Sequence, residues 1–216
     1  MVWVAVVLGV VVGVGVGVDA VARNEAERRI TAQLEVAVPG LENPDVEVRG
    51  FPFVTQLMAG EIGAVRVHAA AITMDGLRLE DVNGRLLGVS TSTHTARLVD
   101  LEALASVETV EQALGIGLDL AVRDGQLVAA TTLFGLPLDI VLEARVEAAT
   151  VSIAAVGLTL AGATVTFSEL PGSLATELQG LSFGVTGLPA GLELTGVVVV
   201  DTGLLLTALG TDVVLG

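Results

Sequence analysis

The stretch VDAVARNEAERRITAQLEVAV, residues 18–38, decides how the rest of the chain can fold. Small or apolar residues recur in it at every fourth position, and charged residues such as Glu25 and Arg29 stand between them. The recurring residues are Val18, Ala22, Ala26, Ile30, Leu34 and Val38. Because residues four apart lie on one face of an α-helix, this spacing predicts a helix with a narrow apolar stripe. Such a stripe needs a partner surface that buries it.

The segment before this helix, MVWVAVVLGVVVGVGVGV at residues 1–18, contains no charged side chain. As a helix it would extend roughly 27 Å, enough to cross a hydrocarbon core. We therefore expect residues 1–18 to be a transmembrane helix or a signal segment, followed by a single domain at residues 19–216. A dinucleotide-binding loop at Gly13, Gly15 and Gly17 is disfavoured, because the third glycine comes one position early.

Two features leave the processing and the orientation of this segment open. Ala20-Val21-Ala22 forms an A-x-A cleavage site, which favours a signal peptide, but the cut would fall inside the predicted helix and so favours an anchor. Arg23, Arg28 and Arg29 follow the segment and no basic residue precedes it, which by the positive-inside rule places the domain in the cytoplasm. We expect a basic stretch upstream of this start site to resolve the conflict.

The composition is aliphatic and acidic. Hydrophobic residues make up 52% of the chain, yet it has no Tyr, one Trp and five Phe, so it offers few large aromatic anchors for a protein partner. The net charge is −15 and every basic residue is Arg. Such a chain repels nucleic acid and anionic bilayer surfaces, so any lipid contact must be chiefly apolar.

The remainder predicts an antiparallel β-structure with two further helices. Alternating residues around Asp75-Gly76 predict a hairpin with one hydrated face, and Asp124-Gly125 predicts a second tight turn. Strands are predicted from Val46 and at residues 65–71, 77–80, 117–122, 127–133, 138–146, 148–156, 158–167, 192–200 and 204–215. Helices are predicted at residues 98–114 and 171–178.

The last hairpin has no polar face. Val197 to Val200 and Leu204 to Leu206 are aliphatic at successive positions, so both faces of each strand are apolar. In an antiparallel sheet this pattern means either burial under a helix or a lining that faces lipid.

Residues that would carry catalysis are missing from the sequence patterns. His68 falls on the polar face of a strand and His94 in a Ser/Thr-rich loop, and neither has partners at ligand spacing. Nucleophile-elbow, zinc-protease and phosphate-loop motifs do not occur. We therefore predict no catalytic residue, no metal site, no cofactor and no enzymatic activity.

Four segments carry a resemblance to a known family. They are Gly50–Leu57 (GFPFVTQL), Val65-Arg66-Val67, Gly76-Leu77-Arg78-Leu79 and Leu188–Val197 (LPAGLELTGV). From about Asp19 to Leu215 the chain resembles the actinobacterial LmeA-like phospholipid-binding proteins. The resemblance implies an envelope protein with an amino-terminal signal or anchor. It also implies a fold similar to tubular lipid-binding domains of the bactericidal permeability-increasing type. In that α+β fold a long helix lies against a strongly curved antiparallel sheet and leaves an apolar groove.

Two sets of residues are candidates for lipid contact. The first is a possible membrane-facing lip at Phe51, Phe53, Leu57 and Met58. The second lies in the terminal hairpin at Val198, Val200, Leu204 and Leu206. The resulting hypothesis is non-enzymatic phospholipid binding or transfer on the extracytoplasmic (periplasmic) side of the cell membrane. A structural role in envelope assembly is the alternative, and an envelope-lipid hydrolase or transferase is a more distant one.

Overall fold

A computed structural model describes residues 19–38, 40–115, 119–133, 135–147, 150–160, 163–164, 181–185, 188 and 190–215. The helices there are α1 (Asp19–Ala37), α2 (Phe53–Ala59) and α3 (Val107–Leu114). The strands are β1 (Leu41–Glu42), β2 (Asp45–Arg49), β3 (Glu61–Met74), β4 (Leu77–Ser90), β5 (Thr95–Ser106), β6 (Asp119–Arg123), β7 (Gln126–Leu133), β8 (Leu136–Glu147), β9 (Thr150–Leu160), β10 (Ala163–Thr164), β11 (Leu181–Gly184), β12 (Leu192–Val200) and β13 (Gly203–Val214). The predicted α+β class with curved, mostly antiparallel sheets is confirmed.

The described strands form two sheets. One has the order β1-β3-β4-β5-β13-β12, with β2 also paired to β3, and the other has the order β10-β9-β8-β7-β6, with β11 paired to β9. The residues group into two compact units. The first extends to Ala103 and includes Thr186–Glu193 and Thr207–Gly216, and the second comprises Leu104–Val185 and Leu194–Leu206. The single domain at residues 19–216 stays a prediction.

Helix α1 buries the stripe that the four-residue spacing predicts. The buried stripe residues are Ala22, Ala26, Ile30, Leu34 and Val38, each at most 4% exposed, and Val18 lies outside the described residues. The helix packs on β2, whose Val46 and Val48 are also buried. Glu27 fixes the contact, because its carboxylate accepts a hydrogen bond of 2.8 Å from the backbone N–H of Val48. This bond also satisfies a donor that an edge strand would otherwise expose.

The hairpin of β3 and β4 forms around the predicted turn. Asp75 and Gly76 both adopt positive φ, 48° and 84°, which is the conformation that a two-residue turn of this kind requires. Met74 pairs with Leu77 across the turn, and the two strands continue for 14 residues each. Asp124-Gly125 makes an equivalent turn between β6 and β7, and Asp201 and Thr202 join β12 to β13. All three predicted hairpins are confirmed.

The helix predicted at residues 98–114 is wrong over its first half. Residues up to Ser106 belong to β5, which lies between β4 and β13, and only Val107–Leu114 is helical. The helix starts where Ser106 provides a cap, since its side chain accepts a hydrogen bond from the N–H of Thr109. Strand pairing on both sides satisfies the backbone of β5 without a helix.

The break predicted between residues 148–156 and 158–167 is also wrong. Strand β9 continues through Gly157, which pairs with Val141 of β8, and the break is reduced to a shift of register between Val141 and Leu142. Of the predicted residues 158–167, the described ones beyond β9 form the two-residue strand β10. The helix predicted at residues 171–178 lies outside the described residues.

No helix in the described part of the chain is long and apolar enough to cross a membrane. The anchor or signal predicted at residues 1–18 lies outside that part. Ala20-Val21-Ala22, the possible cleavage site, lies within α1.

The α1 stripe predicts a clear contrast between buried and exposed positions of the same helix. Ile30 is fully buried, so Ile30→Ala leaves a cavity and should lower the free energy of unfolding by about 2–5 kcal/mol. Val36 is 86% exposed, so Val36→Ala should change it by no more than about 0.5 kcal/mol. Urea unfolding followed by circular dichroism measures both. Equal losses for the two variants would contradict the packing of α1.

Candidate functional site

The first set of candidate residues lies at a compact corner of the first unit, which we call the α2 tip (residues 50–60). Phe53 opens helix α2 and is 1% exposed, so it is a core residue. Phe51 and Met58, in contrast, are 81% and 85% exposed, and Leu57 is half-buried. Gly60 ends the helix in the left-handed conformation with φ of 76°. The tip therefore presents two large apolar side chains to solvent.

A distant carboxylate holds the amino end of α2. Pro52 precedes the helix and makes no side-chain cap. Asp19, the first residue of α1, accepts a hydrogen bond of 2.9 Å from the N–H of Val54 instead. Its other oxygen accepts one of 3.3 Å from Arg23. The Val54 hydrogen bond, helped by Arg23, lowers the pKa of Asp19 below its ordinary value. The start of α1 is thereby tied to the α2 tip.

A polar turn completes this corner. The carbonyl of Gly60 accepts hydrogen bonds from the N–H and the hydroxyl of Thr91, at 2.9 and 3.1 Å. Thr91 starts the turn between β4 and β5, where His94 is exposed as predicted. The carbonyl of His94 accepts a hydrogen bond of 2.7 Å from Leu215.

The second set of candidate residues lies near the turn of the β12–β13 hairpin, within the stretch Leu194–Leu206 that belongs to the second unit. Leu204 and Leu206 are buried, at 0% and 3% exposed. Val198 is 59% exposed, and Val200 is half-buried. The hairpin is therefore apolar on both sides, but part of its aliphatic surface contacts solvent.

The six-stranded sheet of the second unit has an apolar face that is buried. Leu142 pairs with Leu127 on one side, and neighbouring Ile140 pairs with Leu158; all four are buried. The other face carries ion pairs, such as the one between Arg123 and Asp139 at 3.0 Å and that between Arg145 and Glu143 at 2.8 Å. The accessible aliphatic side chains of this unit include Leu136, Val156 and Val198.

A polar groove of about 360 Å³ lies on the first unit. Its lining is Asp45, Glu47, Arg66, Val67, His68, Asn83, Gly84, Arg85, Asp100 and Glu102. Arg66 and Arg85 are directly opposite each other on β3 and β4, with carboxylates around them. His68 Nδ1 lies 3.1 Å from Asn83 Oδ1, and the ion pair with Arg49 lowers the pKa of Glu47. A lining of hydrated charges does not suit an acyl chain.

The same groove contains few side chains that could take part in catalysis. Its lining contains one histidine and no serine, threonine or cysteine that could act as a nucleophile beside it. Among the described residues, no three metal-ligating side chains of His, Cys, Asp or Glu come together. The absence of enzymatic activity stays a prediction.

The G-F-P-F string points to the α2 tip but does not distinguish the buried Phe53 from the exposed Phe51. Asp19 was not among the candidate residues, and its partner Val54 lies 35 positions away. An aspartate at the start of a helix is an ordinary local capping signal, so nothing in the sequence points to this distant role.

A family model described as LmeA-like phospholipid-binding matches residues 14–208. A search of curated proteins and a search of solved structures find no match.

The tie between α1 and α2 predicts a pH-dependent contribution to stability. Asp19→Ala removes the acceptor for Val54 and should lower the melting temperature at neutral pH. Because the folded-state pKa of Asp19 lies below its ordinary 3.8, this stabilisation is present above pH 3.8 and is lost as pH falls through the lower folded value. The melting-temperature difference between wild type and Asp19→Ala should therefore shrink in strong acid.

Thermal melts over a series of pH values measure this difference. Asp19→Asn serves as the control, because it keeps an oxygen acceptor without the charge and should show no dependence of this kind. A wild-type advantage over Asp19→Ala that stays constant through the acid range would refute the assigned role of the charge.

Proposed function

We propose that this chain, which belongs to the LmeA-like phospholipid-binding family, is a non-enzymatic protein that holds a phospholipid by its acyl chains. The family match over residues 14–208 is the observation that carries the proposal. The aliphatic composition and the small number of aromatic side chains agree with a ligand of flexible hydrocarbon chains. The two histidines, both exposed, give no support to a catalytic alternative.

We propose that the acyl chains contact the β12–β13 hairpin near its turn, in the stretch Leu194–Leu206 of the second unit. Val198 and Val200, two positions apart and therefore on one face of β12, are both accessible, and Leu205 on the next strand is half-buried. Covering this surface with hydrocarbon would yield about 25 cal/mol per Å² of apolar area removed from water. Leu204 and Leu206 lie beneath as core, so they would support the surface without touching the ligand.

The finer architecture is part of the same proposal. We take α1 and the curved antiparallel strands to form a single lipid-binding domain at residues 19–216, similar to the bactericidal permeability-increasing type. A domain of this kind could transfer as well as bind a phospholipid. The packing of α1 supports this view, because its buried stripe holds the helix against strand β2.

The proposal predicts that a charge on the hairpin removes lipid binding and spares the fold. Val198 is 59% exposed, so Val198→Asp keeps its hydration in the empty protein. Against an acyl chain the same carboxylate would lose that hydration at a cost of several kcal/mol. This cost is a large part of the binding free energy of a micromolar ligand, which is ~8 kcal/mol. We expect wild-type melting together with lost capture of phospholipid from vesicles.

Two further variants control this experiment. Val36→Asp puts the same charge on an exposed valine of α1 and should leave both melting and capture unchanged. Leu204→Asp buries the charge in the core and should prevent folding, because Leu204 is fully buried. Normal capture by Val198→Asp would exclude this surface. A wild-type chain that captures no phospholipid but retains a protein partner would support the scaffold role instead.

We further propose that residues 1–18 anchor the protein and that the folded part lies on the extracytoplasmic side of the membrane. The uncharged length of this segment supports anchoring. Arg23, Arg28 and Arg29 argue for the opposite orientation, so the topology needs a direct test.

A reporter enzyme that is active only outside the cytoplasm, fused after Leu215, tests the orientation. We expect this reporter to be active. A second reporter that works only in the cytoplasm, fused at the same position, is the matched control and should be inactive. Activity of the cytoplasmic reporter alone would show that the arginines determine the orientation, and the envelope location would be abandoned.

A further inference from the structure

Building on the membrane location proposed above, we propose that the α2 tip is a membrane-contact surface that inserts Phe51 and Met58 into a lipid bilayer. Its partner is the bilayer interface itself, not a single bound lipid. The acyl-chain surface proposed on β12–β13 contains neither residue, so this is a separate site with a separate role.

The exposed side chains of the tip are the first reason. Phe51 and Met58 are both more than 80% exposed, although Phe53 between them is almost completely buried. Single exposed apolar residues are common and need no explanation. Two large ones within eight residues, Phe51 just before α2 and Met58 in its last turn, are more unusual, and Gly60 and Asp19 hold the backbone between them in place. An apolar side chain on a fixed backbone can insert without first ordering a loop.

The second reason is the distribution of charge. The chain carries 25 acidic residues, yet residues 50–60 contain no charged side chain, and neither do residues 90–96, which include the turn bonded to Gly60. An acidic protein is repelled by an anionic bilayer over roughly a Debye length of 8–10 Å. The Asp19 carboxylate at this corner is paired with Arg23, so a tip whose own residues carry no charge is a part of such a protein that can approach the bilayer closely.

The third reason is the place where the uncharged amino-terminal segment joins the fold. Residues 1–18 lead directly into Asp19, and Asp19 is hydrogen-bonded to Val54 of the tip. A membrane anchor at residues 1–18 would therefore hold this corner close to the bilayer surface. Val21, in the first turn of α1, is also 64% exposed.

A second copy of the chain is the other occupant that such a surface could have. Two exposed side chains bury little area compared with the ~800 Å² per partner of a standard protein interface. Interfaces of this kind are also rich in aromatic residues, and the tip exposes one. The bilayer needs no such area, because the anchor already supplies the attachment.

Site-specific fluorescence on the full chain tests the contact. The chain has no cysteine, so Phe51→Cys and Met58→Cys each introduce a single labelling site for an environment-sensitive dye. Val36→Cys is the matched control, because Val36 is 86% exposed but lies on α1 roughly 25 Å from Asp19. Each labelled chain is reconstituted into phosphatidylcholine vesicles with and without lipids that carry a nitroxide quencher near the headgroup.

We expect the dyes at positions 51 and 58 to emit at shorter wavelength and to be quenched by the nitroxide lipid, and the dye at position 36 to do neither. Equal, water-like emission at all three positions would overturn the proposal. Shorter-wavelength emission without quenching by the nitroxide lipid would also overturn it, since a second protein copy would then cover the tip.

Phospholipid capture measured on the same samples separates this proposal from the proposed function. Quenched tip labels on a chain that captures no phospholipid would support the membrane contact and count against lipid binding. Capture by chains whose tip labels stay unquenched would overturn the membrane contact and leave lipid binding standing.

Discussion

Burial of the α1 stripe against β2 is the interaction on which the rest of the first unit depends. Ala22 and Ala26 are small, so the helix can approach the sheet closely, while Ile30 and Leu34 fill the space farther along. Because an α-helix is stiff, fixing these residues also fixes where α1 begins. Asp19 is thereby held at Val54, and the α2 tip takes its orientation from that bond. The packing of a single helix thus determines the position of the α2 tip, which lies 35 residues away in sequence.

The parts of the fold that the sequence predicted are those with an unambiguous local signal. The α1 stripe repeats every four residues, and the Asp-Gly pairs at Asp75 and Asp124 favour only one kind of turn. The helix prediction was wrong over residues 98–106, although Leu98, Leu101 and Leu104 fit helical spacing. Pairing with strands β4 and β13 makes this segment a strand. Those partners come from distant sequence, so a local window could not reveal them. The cap at Ser106 was a usable signal for where the helix starts.

The candidate site was less predictable than the fold, because it depends on which of several similar side chains is exposed. Phe51 and Phe53 are two residues apart in the same string, yet one is in solvent and the other in the core. Helix α2 begins at Phe53 and turns that side chain inward, and a seven-residue helix leaves too short a pattern to detect. The same limit applies to Val198 and Leu204, whose burial differs although both belong to an unbroken aliphatic run.

The charges of this protein and its apolar surfaces act in opposite directions at a membrane. Its ion pairs, such as that between Arg29 and Glu25, are largely exposed and contribute little to stability, so most of the net charge of −15 serves to keep the chain in water. At the α2 tip, contact with an anionic bilayer must overcome this repulsion through apolar burial, since residues 50–60 contain no basic side chain that would attract the headgroups. Salt screens the repulsion but leaves apolar burial intact. An apolar contact of this kind therefore strengthens as ionic strength rises, which is the reverse of what a polybasic membrane-binding surface does.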